Sequence, residues 1–274
     1  MHDPAREFRA LHRRGEPFVL ANAWDAGSAR VLAGMGAQAI GTSSAAFAFT
    51  LGRPDGTITR DEALAHAEAM VAATPLPVSG DFENGFGDDP ETVAETVRLA
   101  CEAGLAGITI EDNPAGGATS YDRALAVERI RAASAAARAL PRDFMLVARA
   151  DGVMNGTYDM AEARARCTGF EAAGADCLYV PGPPSFEELQ ALVESTTLPV
   201  NVLAAGQMAS YTTEDFARIG VARISLGSSL ARATHRVIVD AMSLLLEDGS
   251  FSKLKKSISG EEVNELLRKG MRPE

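Results

Sequence analysis

Histidine, cysteine and aromatic residues are all scarce in this chain. Of 274 residues, four are His, three are Cys, one is Trp, and aromatic side chains make up 6%. Cys101, Cys167 and Cys177 are odd in number and lack C-x-x-C spacing, which argues against a disulfide framework or a cysteine-based zinc site. They are expected to be free buried thiols, Cys101 and Cys167 in helices and Cys177 opening a strand. No apolar run approaches the roughly 20 residues that cross a bilayer. The opening Asp3-Pro4-Ala5-Arg6-Glu7-Phe8 reads as a helix N-cap with proline in the first turn, not as a targeting signal. A reduced, cytoplasmic protein is therefore expected. Lys and Arg total 26 against 37 Asp and Glu, a net charge of −11, so neither nucleic acid nor an anionic membrane is an expected partner.

What the chain has is alternation. Hydrophobic residues make up 46%, and short apolar segments alternate with longer amphipathic ones. The expected strands are Phe18–Ala23, Ala37–Ser43, Pro77–Glu83, Gly107–Asp112, Met145–Asp151, Cys177–Pro181, Pro199–Leu203 and Arg223–Gly227. Thr59 with Glu62, and Ser185 with Glu188, fit capping boxes, and Asp89-Pro90 fits an N-cap followed by proline. Gly36, Gly104, Gly174 and Gly220 each sit where a helix turns into the next strand. Eight β/α units with no linker between them predict one α/β domain over residues 1–274, a (β/α)8 TIM barrel. A doubly wound open sheet is the alternative, but no Gly-x-Gly-x-x-Gly follows the first strand. Residues 234–274 form a helical extension, Thr234–Glu247 and Glu261–Lys269, available for subunit contacts.

The strand ends concentrate the polar residues. Asp81-Phe82-Glu83-Asn84-Gly85 and Glu111-Asp112-Asn113 both terminate apolar runs. Buried strands rarely finish in paired acids unless a cation or a reacting group faces them. The other strand ends add Asn22, Trp24, Asp25, Thr42, Ser43, Ser44, Arg149, Asp151, Tyr179 and Asn201, with Asp55 in the loop after the second strand. Oxygen donors without clustered His or Cys point to Mg²⁺ or Mn²⁺, and one arginine among acids suits an anionic substrate. His2, His12, His66 and His235 all fall outside strand ends, so a Ser-His-Asp triad is not supported. Asp25 has a simpler reading as an N-cap, and Arg149 with Asp151 as a structural ion pair.

Six motifs occur in order: Asn22-Ala-Trp-Asp-Ala26, Ile40-Gly-Thr-Ser-Ser44, Leu51-Gly-Arg-Pro-Asp55, Asp81-Phe-Glu-Asn-Gly-Phe-Gly87, Ile110-Glu-Asp112 and Val147-Ala-Arg-Ala-Asp151. Together they make the chain resemble the isocitrate lyase/phosphoenolpyruvate mutase superfamily over roughly residues 5–245. The resemblance implies a Mg²⁺-dependent enzyme that makes or breaks a C–C or P–C bond beside an α-keto acid. It also implies a homo-oligomer, a dimer of dimers that exchange a terminal barrel helix. By motif, Asp81, Glu83, Glu111 and Asp55 match the metal-shell acids, Glu83 standing where an Asp is usual. Ser43 and Ser44 match the segment that holds the substrate carboxylate, and Arg149 the arginine on the substrate's keto or carboxylate oxygen. Trp24, Tyr179 and Asn201 join the expected substrate contacts.

The departures narrow the activity. The superfamily's isocitrate and methylisocitrate lyases carry a Lys-[Lys/Arg]-Cys-Gly-His lid after strand four, whereas Glu111–Tyr121 here contains no Cys, Lys or His. The Lys and Asn-Ser or Asn-Thr lid of phosphonopyruvate enzymes is missing too. The expected activity is a Mg²⁺-dependent lyase or decarboxylase that cleaves a C–C bond of a small 2-oxo acid through a metal-stabilised enolate. The alternatives are a phosphonopyruvate hydrolase or mutase, and a non-catalytic α-keto acid binding protein.

Overall fold

The computed structural model describes residues 3–272, so His2 lies outside the described residues. Its strands are Phe18–Asn22 (β1), Ala39–Gly41 (β2), Val78–Asp81 (β3), Gly107–Glu111 (β4), Met145–Arg149 (β5), Cys177–Tyr179 (β6), Val200–Leu203 (β7) and Arg223–Ser225 (β8). All pair in parallel and in chain order, and β8 closes on β1. The barrel expected from the alternation is present. Its helices are Pro4–Leu11 (α1), Ala26–Gly34 (α2), Ser44–Thr50 (α3), Arg60–Ala73 (α4), Pro90–Glu102 (α5), Arg123–Ala139 (α6), Gly152–Asn155 (α7), Met160–Ala172 (α8), Phe186–Glu194 (α9), Thr213–Arg218 (α10), Ser229–Asp248 (α11) and Gly260–Lys269 (α12).

Local chemistry sets these boundaries. Thr59 and Glu62 exchange side-chain and backbone hydrogen bonds at the start of α4, and Asp89 caps α5 ahead of Pro90. Gly104 and Gly174, at φ +94° and +95°, end α5 and α8 in the left-handed conformation that glycine reaches most readily. Ile40, Ile108, Leu146, Leu178, Val202 and Ile224 belong to the large buried layer between strands and helices. Leu20, Met145, Val147 and Cys177 fill the barrel interior, where Ala5 and Phe8 of α1 join them. All three cysteines are free and buried.

Every expected strand is present, but most are shorter than expected at their carboxyl ends. β3 ends at Asp81, and Glu83 has turned to φ +45° while its carbonyl accepts from the Glu111 N–H at 2.8 Å. β5 stops at Arg149, and Asp151 opens α7. An apolar run marks where a strand is buried, not where the backbone leaves the ladder to present side chains at the rim.

α11 begins five residues before the expected Thr234. It leaves Val237, Ile238, Met242 and Leu246 exposed. α12 packs on α2 of the same chain, where Gly34 and Gly270 let the two backbones meet with no intervening side chain.

Ile108, fully buried on β4, tests the packing. Ile108→Val is expected to cost about 0.5–1.5 kcal/mol and Ile108→Ala about 2–5 kcal/mol in urea unfolding; equal, negligible losses would show that the layer is loosely packed.

Candidate active site

Parallel pairing brings the strand-end acids to one rim. A cavity of about 460 Å³ opens there, lined by Ser43, Ser44, Asp55, Asp81, Glu83, Glu111, Arg149, Asp151 and Tyr179, among others. Segment Pro114–Gly117, the short loop after β4, covers part of it together with Asp55-Gly56 and Met154-Asn155.

Arg149 organises the floor. Its Nη1 lies 3.0 Å from Asp81 and 2.8 Å from Glu111, and its Nη2 lies 2.7 Å from Asp151. The guanidinium also stands 5.0 Å from the centre of the Tyr179 ring. Burial opposes the charge of Arg149, but Asp151, Glu111 and Asp81 outweigh it and keep the group protonated. Asp81 is held further by the Ser44 N–H and hydroxyl, which donate at 3.0 and 3.1 Å, and by the Thr109 hydroxyl at 3.2 Å. Ser43 caps α3 through the Ala46 N–H.

One guanidinium cannot neutralise three carboxylates and the two acids beside them. Glu111 is pushed well above the usual carboxylate range by burial, and the neighbouring acids add to this against Arg149. Glu83 rises to about 7, through burial and then the charges of Asp81 and Asp55. Asp55 sits on an exposed loop, yet desolvation on its cavity side and then Asp81 raise it too. Burial, with the charges of Asp151 and Asp81 adding to it, pushes the Tyr179 phenol up to about 12 against the pull of Arg149.

Two buried acceptors in this cavity, Glu83 Oε1 and Asn113 Oδ1, have no hydrogen-bond partner among the described residues. Orphaned oxygens and unneutralised acids fit a hard divalent cation, and no His or Cys among the described residues lines the cavity to favour a softer one. No three His, Cys, Asp or Glu side chains among the described residues converge as a ready cage.

Not every expected contact reaches the cavity. Trp24 lines a separate apolar groove with Val31, Leu32, Val237 and Leu267, on the outer side of the barrel. Asn201 donates to Ser225 Oγ and accepts from Arg223 Nε, both at 2.9 Å. The reason is register: Glu111, Arg149, Tyr179, Asn201, Arg223 and Phe18 pair in one row, which runs from the carboxyl end of β4 to the amino end of β1. Strand tilt carries that row downward, so Asn201 lies below the cavity floor. Asp112 turns away as well, accepting from the Asp151 N–H at 2.8 Å, the Tyr158 hydroxyl at 2.7 Å and Arg166 Nη1 at 3.0 Å. Asp25 caps α2, the simpler of its two readings.

The match to known families decides the lineage. Residues 8–246 match the family model described as phosphoenolpyruvate phosphomutase. The chain belongs to that family. It thereby falls in the isocitrate lyase/phosphoenolpyruvate mutase superfamily that its motifs resemble. A solved structure from Burkholderia cenocepacia J2315, described provisionally as a lyase/mutase, shares 44% identity at a TM-score of 0.91, over 95% of this chain and 94% of that one. Oxaloacetate decarboxylase of Paraburkholderia xenovorans is 33% identical over 73% of this chain and 68% of its own length. 2-Methylisocitrate lyase of Salmonella typhimurium is 29% identical over 91% of this chain and 87% of its own.

Within this phosphomutase-family barrel, a second arginine departs from the single arginine expected. Arg232, in the first turn of α11, lines the same cavity and forms no ion pair among the described residues. The late start expected for α11 hid it; Gly227-Ser228-Ser229 before Leu230 was the available signal.

The surplus acids set a pH dependence. Because the folded state holds the Glu83 proton to about 7, against an ordinary carboxyl value of 4.5, metal-free protein should lose stability as pH rises through that interval. Glu83→Gln should flatten the slope of melting temperature between pH 5 and 8; an unchanged slope would assign it to the other acids.

Proposed function

We propose that the chain is a Mg²⁺-dependent carbon–carbon lyase, with Mn²⁺ able to substitute, that acts on a small anionic 2-oxo acid. The observation carrying this is the charge balance of one cavity: five carboxylates, Asp55, Asp81, Glu83, Glu111 and Asp151, face two guanidiniums, Arg149 and Arg232. Such a balance favours a divalent cation together with an anionic ligand. The similarity to an oxaloacetate decarboxylase supports the substrate class, and that to a 2-methylisocitrate lyase supports carbon–carbon cleavage.

Asp81, Glu83, Glu111 and Asp55 are the residues that would hold the cation, in part through water. When bound, the cation supplies Lewis acidity to the substrate's keto and carboxylate oxygens. Ser43 and Ser44 would fix the substrate carboxylate at the start of α3, Ser44 exchanging its bonds to Asp81 for the substrate. Arg149, protonated and already held by Asp151, keeps its positive charge at the floor as negative charge develops on the keto oxygen. Because its geometry is set before substrate arrives, little reorganisation accompanies bond cleavage. Tyr179, neutral at physiological pH, stacks against that guanidinium and walls the floor. The loop after β4 covers part of the cavity and offers no Cys or His acid, which suits decarboxylation, since that cleavage needs no base to start. Arg232 presents an unpaired charge to a second carboxylate, so a dicarboxylic 2-oxo acid fits better than pyruvate alone.

The family's phosphomutase description keeps P–C chemistry as the second reading, and the same assay separates the two. The exposed apolar residues of α11 support an oligomer of the helix-exchanged kind, with residues 1–274 as one domain and 234–274 as its extension.

Oxaloacetate with Mg²⁺ is expected to release pyruvate, and excess chelator should abolish the release. Phosphate from phosphonopyruvate instead would select the second reading, and no product from either would overturn lyase function. Arg149→Lys, which keeps the charge among the three acids, should lower kcat by about 10²–10³; wild-type kcat would remove Arg149 from the mechanism. Arg232→Met should raise KM for oxaloacetate by about tenfold or more while sparing kcat. An unchanged KM would mean that no second carboxylate is read there.

A further inference from the structure

The loop Phe82–Asp88 carries Glu83 into the cavity in an unusual conformation. Glu83 and Phe86 have positive φ, +45° and +60°, as does Gly85 at +79°. Left-handed backbone at two non-glycine residues persists only where the surroundings over-determine it. Here the loop's carbonyls are nearly all engaged. Phe82 O accepts from the Gly85 N–H at 2.7 Å, Glu83 O from the Glu111 N–H at 2.8 Å, and Gly85 O from the Thr96 hydroxyl at 2.8 Å. The remaining anchors converge on one side chain.

Arg129 supplies them. Its Nη2 donates to Asn84 O and, at 2.8 Å, to Gly87 O; its Nε donates to Asp88 O at 3.0 Å; and its Nη1 donates to Glu111 O at 3.0 Å. The guanidinium therefore ties three carbonyls of the β3–α5 loop to the last residue of β4. Arg129 is 1% exposed and sits on the inward stripe of α6 with Ala126, Ile130 and Ala133, where an apolar residue would ordinarily pack. It lies 4.2 Å from the centre of the Tyr121 ring, whose hydroxyl donates to Asp88 Oδ1 at 2.5 Å and accepts from Asn84 Nδ2 at 2.9 Å. Among the described residues it makes no ion pair. All of its side-chain hydrogen bonds go to backbone, so it serves as a clamp and not as a counter-charge. Only a planar fork with several N–H donors can reach four carbonyls at once, which a lysine cannot.

We propose that Arg129 is a positioning residue for the catalytic centre: it locks the strained loop against β4 so that the carboxylates of Glu83 and Glu111 face the cavity together before any cation arrives. The clamp belongs to the chain itself, whereas its effect on cation affinity rests on the proposed metal site.

Amide hydrogen exchange on metal-free protein tests the clamp directly. In the wild type, the Gly85 and Glu111 amides, which bond within and across the loop, should be protected to the degree of barrel-strand amides. In Arg129→Lys their exchange should accelerate by at least tenfold, with the β5–β7 amides unchanged. Mn²⁺ alone, titrated by electron paramagnetic resonance, should bind about 10–100-fold more weakly to Arg129→Lys than to wild type. Free exchange of the loop in metal-free wild type would overturn the proposal even if no Arg129 variant folds. So would a folded Arg129→Lys or Arg129→Met with wild-type exchange and Mn²⁺ affinity. If wild type binds no Mn²⁺ but the loop still loosens in Arg129→Lys, the clamp stands and the metal reading falls.

Discussion

Arg149 is the charge on which the site depends. Three carboxylates from three strand ends, Asp81, Glu111 and Asp151, converge on its guanidinium within 3.0 Å. Without it their mutual repulsion would drive the rim apart or force protonation; with it they stay close but remain under-compensated. That partial compensation is what gives the cavity its appetite for further positive charge, visible in the raised carboxyl of Glu83 and its unpartnered oxygen. A fully neutralised cluster would be a structural ion-pair network and nothing more. Ser44, Thr109 and the Asp151 fork fix the geometry of these groups, so the site does not need substrate to organise it.

A second tier of interactions supports the first from outside the barrel. Asp112, which could have been a cavity acid, instead accepts from the Asp151 N–H, the Tyr158 hydroxyl and Arg166 of α8. Thus the acid that orients Arg149 is itself held through its backbone. Arg129 of α6 does the equivalent for the loop bearing Glu83. Both arginines lie on inward helix faces, where their burial costs stability unless all their donors are engaged. Placing them there makes sense where the rigidity of a particular loop matters.

Much of this was legible from residue order, and the exceptions have physical causes. The barrel follows from the period of apolar runs, since that period reports burial, and burial dominates the energetics of a parallel sheet. The capping residues Thr59 and Asp89 were readable because capping is local. Asp81, Glu83, Glu111, Asp55, Ser43, Ser44, Arg149 and Tyr179 do share one cavity, because every carboxyl strand end of a parallel barrel meets the same rim. Asn201 does not, for a reason the chain order cannot carry: depth along the barrel axis depends on strand tilt and register, and the row through Tyr179 descends before it reaches Asn201. Trp24 does not because it lines an apolar groove between α2, α11 and α12 instead. Arg232 was hidden because the helix was expected to begin at Thr234, after the turn that carries it. Arg129 reads in sequence as one more charged residue on a helix, and only the carbonyls packed against it reveal what it does.

A divalent cation and a 2-oxo acid that share this one cavity would each strengthen the binding of the other. Calorimetric titration of oxalate, a planar dianion that resembles the head of a 2-oxo acid, into the protein with and without Mg²⁺ tests it most directly. Clear binding with Mg²⁺ is expected, weakening by at least tenfold without it, with that coupling lost in Asp81→Asn. Equal oxalate affinity with and without the cation, or no binding in either case, would contradict it.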